Sequence, residues 1–168
     1  LSTLKADSEI ALLYHRLIKE SMNILVYEFY PAIQFVEACG DSLMFMHSPD
    51  LMLPFRNSSG ICLRFAIRLT QQLNLYLRDF NVHIRCGLSY GNVVGGVIDG
   101  KTMRWFGSIV NFAEALESIC LQNCICVEQQ MIDLFIKENI SINYKTTRQK
   151  TSYPLFGDKV VYQIDTTQ

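Results

Sequence analysis

The sequence predicts an α+β domain in which helices pack on an antiparallel sheet, and three observations support this. Segments with apolar residues at three- and four-residue steps, typical of amphipathic helices, are separated by shorter segments with strand-like alternation. The strand-like segments come in pairs joined by short glycine-containing turns, as in hairpins. The 168 residues, 49% hydrophobic and 18% charged, supply enough apolar material for a single packed domain over 1–168.

The first half of the chain predicts a helix, a hairpin and a second helix. The first helix has Asp7 or Ser8 as its N-cap and ends at Pro31, because the residue before a proline disfavours helical backbone. Gly40 and Asp41 form the turn of the hairpin. The predicted bounds are 9–30 for the first helix, 32–38 and 43–47 for the strands, and 61–78 for the second helix.

The second half predicts another hairpin, followed by two helices and three strands. Strands 82–90 and 93–98 form the hairpin, with Gly91 and Asn92 between them. After Gly107 come a helix at 110–120, a strand at 125–127, a helix at 129–138, and strands near 140–144 and 160–164. This order predicts ferredoxin-like packing of the helices on the sheet.

Composition narrows the class of protein. A net charge of −1 argues against a nucleic-acid surface built on positive potential. No apolar run reaches the roughly 18 residues of a membrane span, and the first residues lack the apolar core of a signal peptide. Six cysteines without a CxxC pair favour buried thiols in a reducing compartment, with metal binding by Cys120, Cys124 and Cys126 as the less favoured alternative.

Three polar residues occur where chemistry is plausible, and each also has a structural explanation. Asp41 at a hairpin tip can reach a cation, or it supports its own turn. Glu37 lies in an otherwise apolar strand, and alternation places its side chain on the same face as Phe35 or at the end of the strand. A carboxylate there either has a functional role or forms an ion pair with an arginine. Asn111 lies in the first turn of a predicted helix. It is either part of a helix N-terminus that attracts phosphate, or its amide only satisfies local backbone groups.

Three blocks together resemble a known family. They are FVEACGDSLM at 35–44, VHIRCGLSYGNVVGGV at 82–97 and FGSIVNFA at 106–113. In order, spacing and flanking helices they resemble the catalytic domain of class III adenylyl and guanylyl cyclases, over nearly the whole chain. The resemblance implies the cyclisation of a nucleoside triphosphate to a 3′,5′-cyclic nucleotide with release of pyrophosphate. It also implies two Mg²⁺ or Mn²⁺ ions, and a site shared with a second cyclase domain in a homo- or heterodimer.

The resemblance assigns roles to five residues. Asp41 matches a metal-binding aspartate. Glu37 matches the residue that reads the purine, and Arg104 matches the second purine-reading position. Asn111 matches the asparagine that orients the ribose. Lys159 is the nearest substitute for a phosphate-binding lysine, whose own place is taken by Phe156-Gly157.

Four departures from the family pattern bear on activity. Two are the residues just named: Phe156-Gly157 in place of the lysine, and Arg104 where the family has Asp, Cys or a small polar residue. The segment Leu1–Ile10 aligns after the family's first strand, so that strand and its metal aspartate are expected to be missing from this chain. Ala115 stands where the resemblance implies an arginine that stabilises phosphate charge, four residues after Asn111.

Two hypotheses follow. In the first, the domain supplies metal ligands to one working site of a heterodimer, on the cytoplasmic side of the cell, and the partner supplies the arginine and the base contacts. Glu37 favours GTP over ATP because a carboxylate accepts guanine's donors, whereas Arg104 either pairs with Glu37 or opposes guanine with an additional donor. In the second, it is a degenerate cyclase homologue that acts as a dimerisation, regulatory or scaffold module. In either case the parent protein is expected to be membrane-anchored or part of a larger complex.

Overall fold

The computed structural model describes residues 2–47, 58–80, 82–98, 100 and 102–167. The chain forms two compact units, Leu1–Phe55 and Arg56–Gln168. The helices are α1 Ser2–Ile24, α2 Ser58–Leu77, α3 Ser108–Ser118 and α4 Gln129–Lys137, and the strands are β1 Ile33–Cys39, β2 Ser42–His47, β3 Cys86–Leu88, β4 Val94–Ile98, β5 Thr102–Phe106, β6 Cys124–Glu128, β7 Thr146–Tyr153 and β8 Gly157–Asp165.

The first unit consists of α1 and the β1–β2 hairpin. A π-helical turn over Leu25–Phe29 continues α1, and the backbone becomes extended at Tyr30, just before Pro31, which confirms the predicted end of the helix. The predicted N-cap at Asp7 or Ser8 is wrong, because α1 already includes both residues. Neither glycine nor proline interrupts the segment before them, so helical backbone continues through these two polar residues.

The β1–β2 hairpin has the predicted turn and one irregularity. Phe35 lies opposite Phe45, and their rings pack edge to face with centroids 5.7 Å apart. The next register pair is Glu37 with Met44, so Val36 is an extra residue on β1 that forms a β-bulge. Successive residues on β2 face opposite sides, and the bulge therefore reverses the faces of β1 beyond Phe35.

The second unit is built on a four-stranded sheet in the order β3-β6-β8-β7. Strand β8 runs antiparallel to both of its neighbours, β6 and β7, whereas β3 runs parallel to β6, so the sheet is mixed. Every residue of β6 is buried. Helices α2 and α4 supply one face of the core and α3 the other; the first cluster contains Leu63, Ala66, Ile125, Val127, Met131, Phe135 and Ile164, and the second Phe112, Leu116, Cys120, Cys124, Cys126, Tyr153 and Val161.

One predicted pairing and one predicted strand are wrong. Residues 82–90 and 93–98 do not pair with each other: β3 is only three residues long and joins β6, while β4 pairs with β5 across a turn at Gly100. The strand predicted near 140–144 is irregular backbone, and the neighbour of β8 at this edge is β7. Strand β7 escapes prediction because it is polar and exposed along most of its length, so it has no apolar alternation.

The architecture confirms the predicted α+β class, with helices packed on a largely antiparallel sheet. In the part of the chain that the structure describes, no helix combines the length and apolar character needed to cross a membrane.

Candidate functional site

Asp41 lies at the tip of the β1–β2 hairpin, with its side chain exposed. The turn has only two residues between the strands, and Gly40 adopts φ 60°, a left-handed conformation that glycine tolerates best. The tight turn therefore holds a solvated carboxylate at a fixed place on a short connection, which suits a cation ligand.

Glu37 lies on β1 just beyond the bulge and is half-buried. The bulge puts Glu37 on the face of the hairpin opposite to Phe35. The expectation from simple alternation, that the two side chains share a face, is wrong. Consequently Glu37 is separated from the edge-to-face Phe35–Phe45 pair.

Asn111 is the fourth residue of α3 and is exposed. The helix starts abruptly because Gly107 has φ 148°, and a Cβ there would lie 3.0 Å from the carbonyl oxygen of Asn92. Only glycine fits these two constraints without strain. The backbone N–H of Val110 then donates to the Gly107 carbonyl at 3.1 Å, and Asn111 sits in the electropositive first turn.

Helix α3 rests directly on β3 at Gly87. A Cβ built on Gly87 would lie 2.1 Å from the carbonyl oxygen of Ala113 and 2.5 Å from the backbone nitrogen of Glu117. On the surface, the Arg85 guanidinium pairs with the Glu117 carboxylate at 2.9 Å. Close backbone packing thus fixes the position of the helix that carries Asn111.

Ala115 follows Asn111 by about one turn of α3. It is half-buried and packs against the second core cluster. Its methyl group provides neither charge nor a hydrogen-bond donor at this place on the helix.

An aromatic cluster surrounds the C-terminal candidates. The Phe156 ring lies 4.8 Å from that of Phe112 and 6.3 Å from that of Tyr153. The Lys159 ammonium lies 5.8 Å from the centre of the Phe112 ring, within the range of a cation–π contact. Phe156 therefore contributes apolar packing, and Lys159 places a positive charge beside the aromatic cluster.

Arg104 lies on β5, opposite Gly96 of β4, with its side chain exposed. The β4–β5 ribbon also exposes Val94, Val97 and Phe106 by half or more. It is a separate two-stranded sheet within the second unit.

Comparison with known proteins decides the family. The family model for the adenylate and guanylate cyclase catalytic domain matches residues 10–164. The chain belongs to this family. No curated protein matches this cyclase domain.

Solved cyclase structures share the fold of this cyclase domain. The guanylyl cyclase Cya2 has a TM-score of 0.75 at 11% identity, covering 94% of this chain and 81% of its own. The adenylyl cyclase CyaB from P. aeruginosa has a TM-score of 0.69 at 16% identity, covering 94% and 82%. A non-canonical dimeric guanylyl cyclase domain of the RhoGC fusion protein from Blastocladiella emersonii has a TM-score of 0.69 at 19% identity, covering 94% and 83%.

The candidate residues of the cyclase domain fall into both compact units. Glu37 and Asp41 belong to the first unit, and Arg104, Asn111 and Lys159 to the second. The second unit has a cavity of about 440 Å³ between α2 and residues 139–144, and none of the five lines it. Across the described residues, no three His, Cys, Asp or Glu side chains are grouped so that they could hold a metal ion.

All six cysteines of the cyclase domain are free. Burial raises the pKa of Cys120 and of Cys126 to about 12, so both are protonated thiols at neutral pH. The Cys120 thiol donates to the carbonyl oxygen of Cys124 at 3.1 Å. These cysteines act as small apolar side chains of the second core cluster.

Sequence reasoning missed one ionisable residue of the cyclase domain, Glu128. It ends the buried strand β6 and is only 9% exposed. Burial raises the pKa of its carboxyl group, against the lowering effects of a hydrogen bond from the Tyr90 backbone and of the Lys159 charge. The signal was present: Glu128 occupies the period-two position of Cys124 and Cys126, which face the core.

Proposed function

We propose that this chain is one half of a nucleotidyl cyclase site, which converts a nucleoside triphosphate to a 3′,5′-cyclic nucleotide and pyrophosphate together with a second cyclase domain. The observation that carries the proposal is Asp41, an exposed carboxylate held at a two-residue hairpin tip. The resemblance of the sequence blocks matches Asp41 to a metal-binding aspartate of the family.

The missing cation on α3 supports a division of labour between two domains. Ala115 is packed against the core where the family pattern has an arginine, so this helix has no positive charge to place against a phosphate. A cation that stabilises transition-state charge is worth several kcal/mol of activation free energy in a dry site. The partner domain would therefore supply it, and the dimeric RhoGC domain is a precedent for pairing within this fold.

Asn111 remains suited to a polar contact with the ribose. Its exposed amide both donates and accepts hydrogen bonds, and close packing of α3 on β3 fixes its backbone. Lys159 would attract the phosphates from the same unit. Its contact with the Phe112 ring keeps its ammonium beside the aromatic cluster.

The choice of purine depends on Glu37 and Arg104. A carboxylate accepts from the N1 and N2 donors of guanine, so Glu37 favours GTP over ATP. Arg104 would donate to a base edge. Adenylyl and guanylyl cyclases both share this fold, so the overall fold does not distinguish the two substrates.

Magnesium or manganese ions, implied by the family, are only partly accommodated. Asp41 offers the hard oxygen ligand that these ions prefer. Since the described residues form no group of three potential ligands, they do not make a complete metal site by themselves. Asp41 is accordingly proposed as one ligand of a shared site.

A complementation assay tests this proposal. The full-length protein is mixed with an active class III cyclase domain whose own metal-binding aspartates have been changed to asparagine, in Mn²⁺ with GTP or ATP. We expect each protein alone to be inactive and the mixture to form cyclic nucleotide. The role of Glu37 would be refuted if Glu37→Gln left the ratio of the rates from GTP and ATP unchanged.

The second candidate function is a non-catalytic pairing module, favoured by the same Ala115. In that case the two proteins form a complex in analytical ultracentrifugation, but the mixture produces no cyclic nucleotide from either triphosphate. That outcome would refute the half-site proposal.

A further inference from the structure

Strand β7 forms one edge of the four-stranded sheet. Among the described residues, β8 is the only strand that is hydrogen-bonded to it. In an edge strand, alternate residues direct their backbone N–H and C=O groups away from the sheet, where no neighbouring strand receives them. With eight residues, Thr146–Tyr153, this edge is longer than an average strand. It can therefore accept a further strand along its length.

The first part of β7 is exposed on both of its faces. Residues 146–150 are all exposed, without the alternation that a covering layer on one face would produce. Burial begins only towards Tyr153, which packs in the second core cluster. Within the described part of the chain, the outer edge of β7 is therefore accessible at 146–150.

The accessible part of β7 is positively charged. Arg148 and Lys150 lie two residues apart, so their side chains share one face and are separated by about 7 Å along the strand. Strand β7 contains no Asp or Glu. The carboxylate nearest to this pair in the register is Asp158, which lies opposite Ser152 on β8. Within the described residues, neither Arg148 nor Lys150 forms an ion pair with it or with any other carboxylate.

These two charges determine which kind of strand can dock. A second copy of β7, paired antiparallel about Gln149, would place Arg148 of each copy opposite Lys150 of the other. Like charges directly opposite each other are unfavourable, and cations on exposed edges oppose self-association in this way. A strand with two carboxylates two residues apart would instead place one carboxylate opposite each cation. The edge thus favours an acidic strand over a second copy of the chain.

We propose that β7 docks an extended acidic segment of another protein as an additional strand of the sheet. Backbone hydrogen bonds to the outer edge of β7 provide the affinity, and pairing of two carboxylates with Arg148 and Lys150 provides the selectivity. The interaction requires neither a triphosphate nor a second cyclase domain, so it is independent of the half-site.

Fluorescence anisotropy with labelled peptides and the 168-residue chain tests the proposal. The probe is the peptide TVEVEVT, whose two glutamates match the spacing of the two cations. Peptide TVKVKVT reverses the charges, whereas TVEPEVT keeps them and places a proline in the strand, which removes a backbone donor. We expect saturable binding of TVEVEVT, no binding of TVKVKVT, and binding of TVEPEVT that is weaker by about fivefold or more.

Variants of the chain test the same contact from the other side. The double variant Arg148→Glu/Lys150→Glu should bind TVEVEVT about tenfold or more weakly, because two attractive pairs become repulsive. The control Lys19→Glu/Lys137→Glu, with the same change of net charge at two exposed lysines outside β7, should bind like the wild type. Hydrogen exchange with mass spectrometry should show slower amide exchange over 146–152 when TVEVEVT is bound. Circular dichroism checks that each variant is folded, and Lys150→Gln, with a weaker affinity again expected, replaces the double variant if that is not.

Five outcomes would overturn the proposal. The first four are the absence of saturable TVEVEVT binding, equal binding of TVEPEVT, wild-type affinity in the double variant, and unchanged exchange over 146–152. The fifth is a dimer of the wild-type chain in analytical ultracentrifugation that the double variant abolishes, because the edge of β7 would then belong to a second copy.

Discussion

Replacing Gly87 with alanine would put a methyl group into the backbone of α3. The new Cβ would lie 2.1 Å from the Ala113 carbonyl oxygen, 2.5 Å from the Glu117 nitrogen and 3.1 Å from the Leu116 Cβ. Two of these atoms belong to helix backbone, so no rotamer change relieves the clash. Ordinary contact requires α3 to move away from β3 by roughly 1 Å.

Such a displacement is costly because α3 covers one face of the core. Overpacking of this kind costs about 3 kcal/mol of the free energy of unfolding. For a chain of this size we expect the melting temperature to fall by about 6–12 °C. Urea denaturation followed by circular dichroism measures the loss directly.

Gly96→Ala is the matched control. No atom lies within 4 Å of a Cβ at Gly96, and its φ is not in the left-handed region. Alanine there should leave stability unchanged or raise it by about 0.5 kcal/mol, because it restricts the unfolded chain. The packing argument is refuted if Gly87→Ala unfolds within about 0.5 kcal/mol of the wild type, or if both variants lose the same amount.

Three further predictions concern other parts of the chain. Glu138→Gln should cost about 1 kcal/mol in urea denaturation, because the Glu138 carboxylate accepts from the backbone N–H and the hydroxyl of Ser59 at the start of α2, at 3.0 and 2.7 Å. Hydrogen bonds from a nearby threonine hold the pKa of the Asp165 carboxyl group below its ordinary value of 3.8. The ionised carboxylate therefore stabilises the fold above pH 3.8, and this stabilisation is lost as the pH falls through the folded pKa. Asp165→Asn should accordingly reduce the dependence of the free energy of unfolding on pH below about 4. Iodoacetamide at pH 8, with mass spectrometry, should modify exposed Cys39 before buried Cys126, whose pKa of about 12 leaves almost no thiolate.

Each of these three has a result that contradicts it. If Glu138→Gln unfolds with the same urea midpoint as the wild type, the Glu138 carboxylate does not cap α2. An unchanged acid profile in Asp165→Asn would refute the hydrogen-bond effect. Modification of Cys126 as fast as that of Cys39 would show that the second core cluster opens readily.

The local pattern of apolar and polar residues was sufficient to predict the elements that bury one apolar face. Helix α2, the β1–β2 hairpin and the start of α3 after Gly107 all lie close to their predicted places. In each, side-chain periodicity and a glycine or proline specify the backbone without help from distant residues.

Pairing between distant segments was not predictable in the same way. Strand β3 joins β6 in parallel, some 40 residues further along the chain, and nothing within residues 82–98 indicates that choice. Strand β7 is stabilised by backbone hydrogen bonds to β8, while most of its side chains remain exposed. Its sequence therefore has no hydrophobic alternation from which a strand could be predicted.

The candidate site shows both situations. The exposure of Asp41 could be predicted from its turn, and the position of Asn111 from its place at the start of the helix. The face on which Glu37 lies could not be predicted, because a one-residue bulge at Val36 reverses the alternation and nothing in the composition indicates a bulge. Burial of Glu128 likewise depends on the packing of distant segments around the end of β6.

The central claim, that this cyclase domain contributes Asp41 to a shared site, is tested most directly by the rate of cyclic nucleotide formation in the complementation assay with Asp41→Asn. We predict a loss of about 100-fold or more, since a metal-positioning carboxylate contributes several kcal/mol. The matched control Glu9→Gln, which removes an exposed carboxylate from α1, should retain the wild-type rate. An Asp41→Asn rate equal to that of Glu9→Gln would contradict the account.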